Sequence, residues 1–119
     1  MAETSTRAQT EVVQTDRAAA PIGPYSQAIR ANGFVFVAGG IAAETRQTLE
    51  NIKAILGEAG SGFDRAVQSF VYMVDLSEFG QMNEVYAEYF THNPPGRTTV
   101  GVTSLPAGAR IEITVTALA

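Results

Sequence analysis

An α+β layer, one sheet covered on one face by two helices, is the fold class this sequence predicts, and three observations predict it. Two segments repeat apolar residues at three- and four-residue spacing, several others alternate in the two-residue rhythm of strands, and both helical segments are apolar on one side only. A one-sided helix needs a sheet to cover, and the other face of that sheet must meet water or another subunit. The expected element order is β-β-β-α-β-α-β-β.

A polar lead over residues 1–9 precedes a single domain expected over 10–119. TEVVQT reads as a short strand, and AAAPIGPYS, with two prolines and a glycine, as an ordered irregular turn. QAIRANGFVFVAGG reads as a hairpin, because Asn32-Gly33 suits the positive-φ positions of a tight turn. From Glu44 to Ala59 the period changes: Leu49, Ile52, Leu56 and Ala59 define an amphipathic helix that stops near Gly60. AVQSFVYMVD is β-branched and aromatic and reads as a well-buried strand containing Val67, Phe70, Val71, Tyr72 and Val74. A second helix follows, with Ser77 as cap and Phe79, Met82, Val85, Tyr86 and Tyr89 as its apolar face; His-Asn-Pro-Pro-Gly ends it. RTTVGVT and RIEITVTA are the last two strands, joined by SLPAGA. Met73 and Met82 are expected in the core and His92 in solvent.

Composition narrows the chemistry. The chain has 119 residues, no cysteine and one histidine, His92, so thiolate nucleophiles, disulfides, cysteine-based metal sites and multi-histidine sites have no residues to build them. No metal site is expected. A net charge of -4 disfavours a broad electrostatic footprint for nucleic acid. No apolar run approaches the ~20 residues of a membrane helix, and the acid-containing N-terminal stretch is not a secretory signal. A cytoplasmic location is the default expectation.

Strand periodicity separates Val100 and Val102 from Arg97, Thr99 and Gly101, and Ile111, Ile113 and Val115 from Glu112, Thr114 and Thr116. If both aliphatic sets face the helices, Arg97 and Glu112 share the opposite, hydroxyl-rich face. There an arginine fork suits a carboxylate ligand, and a carboxylate suits the orientation or deprotonation of water. On spacing alone a structural ion pair is the commoner explanation of such a pair, and periodicity leaves both readings open.

The stretches GPYSQAI, VAGG, QTLENIKAIL, YMVDLSEF, NEVYAEYF, PPGRTTV and LPAGARIEI, in this order, resemble the Rid (YjgF-type) family, and within it the RidA-like imine deaminases. The resemblance covers nearly all of the chain after residue 10. It implies a chorismate-mutase-like subunit with a mixed sheet, assembled into a barrel-like homotrimer with ligand clefts between subunits. It also implies hydrolysis of 2-imino acids, derived from 2-aminoacrylate or 2-aminocrotonate, to 2-keto acids and ammonia without a cofactor. Position by position, Arg97 resembles the arginine that holds the substrate carboxylate, and Glu112 the acid associated with the hydrolytic water. Tyr25 resembles a cleft tyrosine from a neighbouring subunit, Gly39 and Gly40 a strand end whose amides approach substrate, and Asn83 a residue near the site. Each of the last four has an ordinary explanation as well: Tyr25 can pack its own turn, Asn83 can be a surface or capping residue, and the glycines can form a bulge.

Three departures stand out. Thr99, expected to line the cleft, occupies a position where the family often has cysteine, and Ala38 one where it often has serine. Between Ile41 and Glu44 the family has a longer Gly- and acid-containing loop, whereas here GGIAAETRQ runs almost directly into the helix. That junction lacks turn and capping residues, which favours residues absent from this sequence over a shortened loop. The expected function is a hydrolytic 2-imino acid deaminase. The alternatives are a non-catalytic trimeric binder or sensor of small 2-keto acids, and an endoribonuclease or translation inhibitor.

Overall fold

Asn32-Gly33 folds as its chemistry demands: both residues adopt positive φ, 55° and 84°, and return the chain on itself in a tight hairpin. This turn joins β2 (Ala28–Ala31) to β3 (Phe34–Ala42), and β1 (Thr10–Val13) adds on the far side of β2. The structure is a computed structural model whose described residues are 9–42 and 44–119. The N-terminal lead expected over residues 1–9 falls almost wholly outside them.

Helix α1 (Thr45–Glu58) follows β3. No side chain caps its start at Glu44, as the bare junction in the sequence suggested, and Ala43, on which the expectation of absent loop residues falls, lies outside the described residues. The helix ends at Ala59, where Gly60 turns away at φ 78°. Strand β4 (Ala66–Met73) leads through a short 3-10 turn to α2 (Phe79–Tyr89), and β5 (Gly96–Gly101) and β6 (Ile111–Leu118) complete the chain. The cap of the turn before α2 is Asp75, whose carboxylate accepts from the Ser77 amide and hydroxyl; Ser77, the expected cap, is instead the donor.

The strand order is β1-β2-β3-β6-β4-β5, antiparallel throughout except for the parallel β4–β5 pair at one edge. The last two strands, though joined directly by SLPAGA, are therefore not paired with each other. Strand β4 lies between the two, because α2 serves as the crossover that a parallel pair requires. Among the described residues no helix is long and apolar enough to cross a membrane.

Both helices cover one face. Leu49, Ile52 and Leu56 of α1 are fully buried against that face of the sheet, as are Val35, Val71 and Ile113, and Met73 and Met82 fill the same core as expected. Truncating a residue such as Leu49 to Ala costs roughly 2–5 kcal/mol. The open face is also largely apolar: Val12, Phe36, Phe70, Val100 and Leu118 are exposed there, beside Thr98, Thr114 and Thr116. This corrects two expectations. Strand β4 is not buried on both sides, since Val67 and Phe70 are exposed, and Val100 belongs to the open face and not to the core.

Candidate active site

Arg97 is carried by the edge strand β5, where its Cα partner on β4 is Ser69. Residues paired in register point to the same side of a sheet. Ser69 is fully buried under α2, so Arg97 also points to the helical side. Its guanidinium carbon lies 4.7 Å from the Tyr86 ring centroid and 5.6 Å from that of Phe79, and Nη1 lies 3.9 Å from the Met82 sulfur. These three residues stand at helical spacing on one face of α2.

The other described arginines all meet oxygen. Arg17 pairs with Glu58, Arg30 with Glu11, Arg46 with Glu88, and Arg110 with Glu78 and Asp75, while Arg65 donates to the carbonyls of Leu118 and Ala119. Among the described residues no carboxylate pairs with Arg97. A half-buried guanidinium that rests on rings and gives one Nη1 donor to a thioether keeps its remaining donors for an anion.

Glu112 stands elsewhere. Its Cα partners are Tyr72 on β4 and Ile41 on β3, and it alternates with the buried Ile111 and Ile113, which places it on the open face. It lines a concavity of about 480 Å3 with Tyr25, Ala38, Ile22, Pro24 and Pro106. Burial pushes the Glu112 carboxyl above the usual carboxylate range. The turn carrying Tyr25 is held by Gln27, a buried amide that accepts from the Thr15 N–H and donates to the carbonyls of Thr15 and Ala19. The Ile22 N–H donates to the Tyr25 hydroxyl at 3.3 Å, yet the ring remains exposed, so Tyr25 both packs its own turn and faces the cleft.

Gly39 adjoins this cleft through Ala38. It sits at φ 106° in a break of register between Val37 and Gly40, and a Cβ there would lie 2.1 Å from the Ile113 carbonyl oxygen. The bulge therefore requires glycine whatever approaches its backbone.

The expectation that Arg97 and Glu112 share a face is thus overturned, and with it the structural ion pair. Strand periodicity alone points the aliphatic residues of β5 toward the core, but this edge strand turns Val100 outward. Within one chain the expected site residues form two groups: Arg97 with Thr99 on the helical side of β5, and Tyr25, Gly39 and Glu112 around the open-face cleft. Thr99 Oγ1 is buried with no hydrogen-bond partner. Asn83 is half-buried on α2, one residue beyond Met82. Residues missed from the sequence are Phe79, Tyr86 and Ser69. The first two were read as apolar face, and Ser69 gave no signal within a β-branched run. A larger concavity, about 770 Å3 on the outer side of α1 beside Glu50 and Lys53, contains none of the expected residues.

Comparison with known proteins covers both groups. A family model described as Endoribonuclease L-PSP matches residues 15–119. A RutC family protein of Pyrococcus horikoshii is 46% identical, covering 87% of this chain and 93% of that protein. Reactive Intermediate Deaminase A, chloroplastic, of Arabidopsis thaliana is 38% identical over 87% of this chain and 63% of its own length. Among solved structures, E. coli TdcF with bound serine superposes with a TM-score of 0.87 at 31% identity, covering 92% of this chain and 98% of that one. Both sequence matches extend over 117 positions, more than 87% of 119 residues can fill. The relatives therefore carry internal residues that this chain lacks, in keeping with its short junction between β3 and α1.

Proposed function

The chain belongs to the Rid (YjgF-type) family, and from that premise we propose that it is a hydrolytic deaminase converting small 2-imino acids to 2-keto acids and ammonia. The observation that carries the reading is the guanidinium of Arg97, half-buried and without a carboxylate partner among the described residues. A planar fork with free donors suits the carboxylate that imino and keto acids share. The relative named as a reactive intermediate deaminase and the neighbour with bound serine, itself a carboxylate, favour the same ligand class.

The chemistry assigns the second group its task. Water adds to the imine carbon while Glu112 takes its proton; the nitrogen gains protons, the carbon–nitrogen bond breaks, and ammonia leaves as the carbonyl forms. A carboxyl raised by partial burial is a stronger base than a fully solvated one. Because Arg97 and Glu112 lie on opposite faces, one small substrate meets both only if two copies supply them. The proposed assembly is the homotrimer that the family resemblance implies, with Arg97 of one subunit completing the Tyr25–Glu112 cleft of its neighbour, and the apolar open face favours such an association.

In the decisive experiment, 2-iminobutanoate and 2-iminopropanoate are generated enzymatically and ammonia release is followed. Wild type releases ammonia, Glu112→Gln does not but still binds 2-ketobutyrate, and Arg97→Ala does neither. Keto-acid binding by a wild type without turnover would favour a sensor instead.

A further inference from the structure

The aromatic ladder under Arg97 does more than fill space. Phe79, Met82 and Tyr86 lie under the guanidinium on one face of α2, and Tyr86 and Met82 are themselves buried. The Tyr86 hydroxyl is 2.7 Å from Ser69 Oγ in a buried hydrogen bond. Ser69 is also the register partner of Arg97. Strand β4, helix α2 and strand β5 are thereby joined in a closed circuit of three side chains. Behind it Tyr86 stacks on Phe90, with centroids 4.3 Å apart and planes 26° apart, and Phe90 meets Phe63 edge-on at 4.7 Å. The ring under the guanidinium is thus held at its hydroxyl and along its face.

The geometry points to Tyr86, pinned by Ser69 and assisted by Phe79, as a positioning residue that holds the Arg97 fork in the orientation needed to receive a substrate carboxylate. The inference rests on the carboxylate-binding role proposed for Arg97. An arginine side chain free in solution samples many rotamers, and each must be given up when a bidentate pair forms. A guanidinium already seated over a ring that is itself held by Ser69 and Phe90 has surrendered much of that freedom in the unliganded protein. The ring cannot compete for the ligand, since its face attracts the cation without using the in-plane donors. An acid in the same place would neutralise the fork and block it. The circuit therefore gives order without occupying the donors.

The test compares Tyr86→Phe, which keeps the ring and loses the bond to Ser69, with Tyr86→Leu, which loses the ring face. Side-chain NMR of Arg97 reads the clamp without any substrate. In wild type and Tyr86→Phe its Hδ and Hε resonances are displaced upfield by the ring, and in Tyr86→Leu the displacement is lost. Kinetically, Tyr86→Leu raises KM about tenfold with kcat within about twofold, while Tyr86→Phe changes KM no more than about threefold. A merely structural role would lower the active fraction, and so kcat, without moving KM. Wild-type Arg97 resonances without ring-current displacement overturn the clamp whatever the protein catalyses. If wild type shows no turnover, the deaminase reading fails on its own, and Kd for 2-ketobutyrate replaces KM, the same tenfold rise being required. Equal KM or Kd in Tyr86→Leu and wild type overturns the positioning role.

Discussion

Arg97 and Glu112 lie on opposite faces of the sheet, with β4 between their strands. Arg97 is in register with Ser69 and Glu112 with Tyr72, so their backbones are separated by two strand spacings, roughly 10 Å, and by three residues, roughly another 10 Å, along the sheet. An imino acid with a few carbon atoms cannot bridge that distance through the sheet.

Complementation between inactive variants follows from this separation. Arg97→Ala and Glu112→Gln are each expected to be inactive alone. Co-expressed and purified through two different tags, they should recover activity, with roughly a third of the sites intact in a mixed trimer. Ammonia release at background level from a verified mixed oligomer would show that one chain supplies both groups.

Acid should silence Glu112 early. Burial raises its carboxyl, so the proposed base is lost at a pH above that of an ordinary carboxylate, and the acid limb of the rate profile should lie correspondingly high.

The same shift predicts a stability trade. Because the fold binds the Glu112 proton more tightly than the unfolded chain does, the group's favourable contribution is present below the ordinary carboxylate range and lost as pH rises through the raised value. Glu112→Gln, neutral throughout, should melt about 1–3 °C above wild type at pH 7, and the gap should close on acidification. A gap that widens in acid would contradict the assigned environment.

Gly39 and Gly33 provide a controlled pair. Both have positive φ, but a Cβ at Gly33 meets nothing within 4 Å, whereas one at Gly39 collides with the Ile113 carbonyl. Gly33→Ala should cost about 1 kcal/mol in urea unfolding. Gly39→Ala should cost about 3 kcal/mol or more, since the backbone itself must shift.

Charge on the open face should dissociate the assembly. Phe36 is 47% exposed in the single chain, and Phe36→Glu is expected to move the protein from the proposed trimer to monomer in light scattering, with its helical circular dichroism retained. The same monomer should lose deaminase activity.

What could be read from the residues depended on whether local chemistry was decisive. Asn32-Gly33 admits essentially one turn, and the periods around Leu49–Leu56 and Ile111–Val115 each admit one buried side, so the hairpin, the helix and the last strand were legible. The orientation of β5 was not. Assigning aliphatic residues to the core works when the other face is wet, but here Val100 and Phe70 make both faces apolar. Nor could sequence adjacency reveal that β4 would enter between β5 and β6, because the alternation within each strand does not say which strand lies beside it. Arg97 and Glu112 were found as residues, while their separation, the Ser69–Tyr86 bond and the ring beneath the guanidinium exist only in three dimensions.

Among the described residues, the sheet's two outer strands, β1 and β5, each leave one row of backbone donors and acceptors without a strand partner, on either side of an apolar face. A newly made chain is therefore adhesive on three surfaces at once. Its fate is a race between ordered association and indiscriminate aggregation, and both routes quicken as chains become more concentrated. Refolding yield should consequently peak at an intermediate protein concentration, dilute enough to limit misencounters and concentrated enough for copies to find one another.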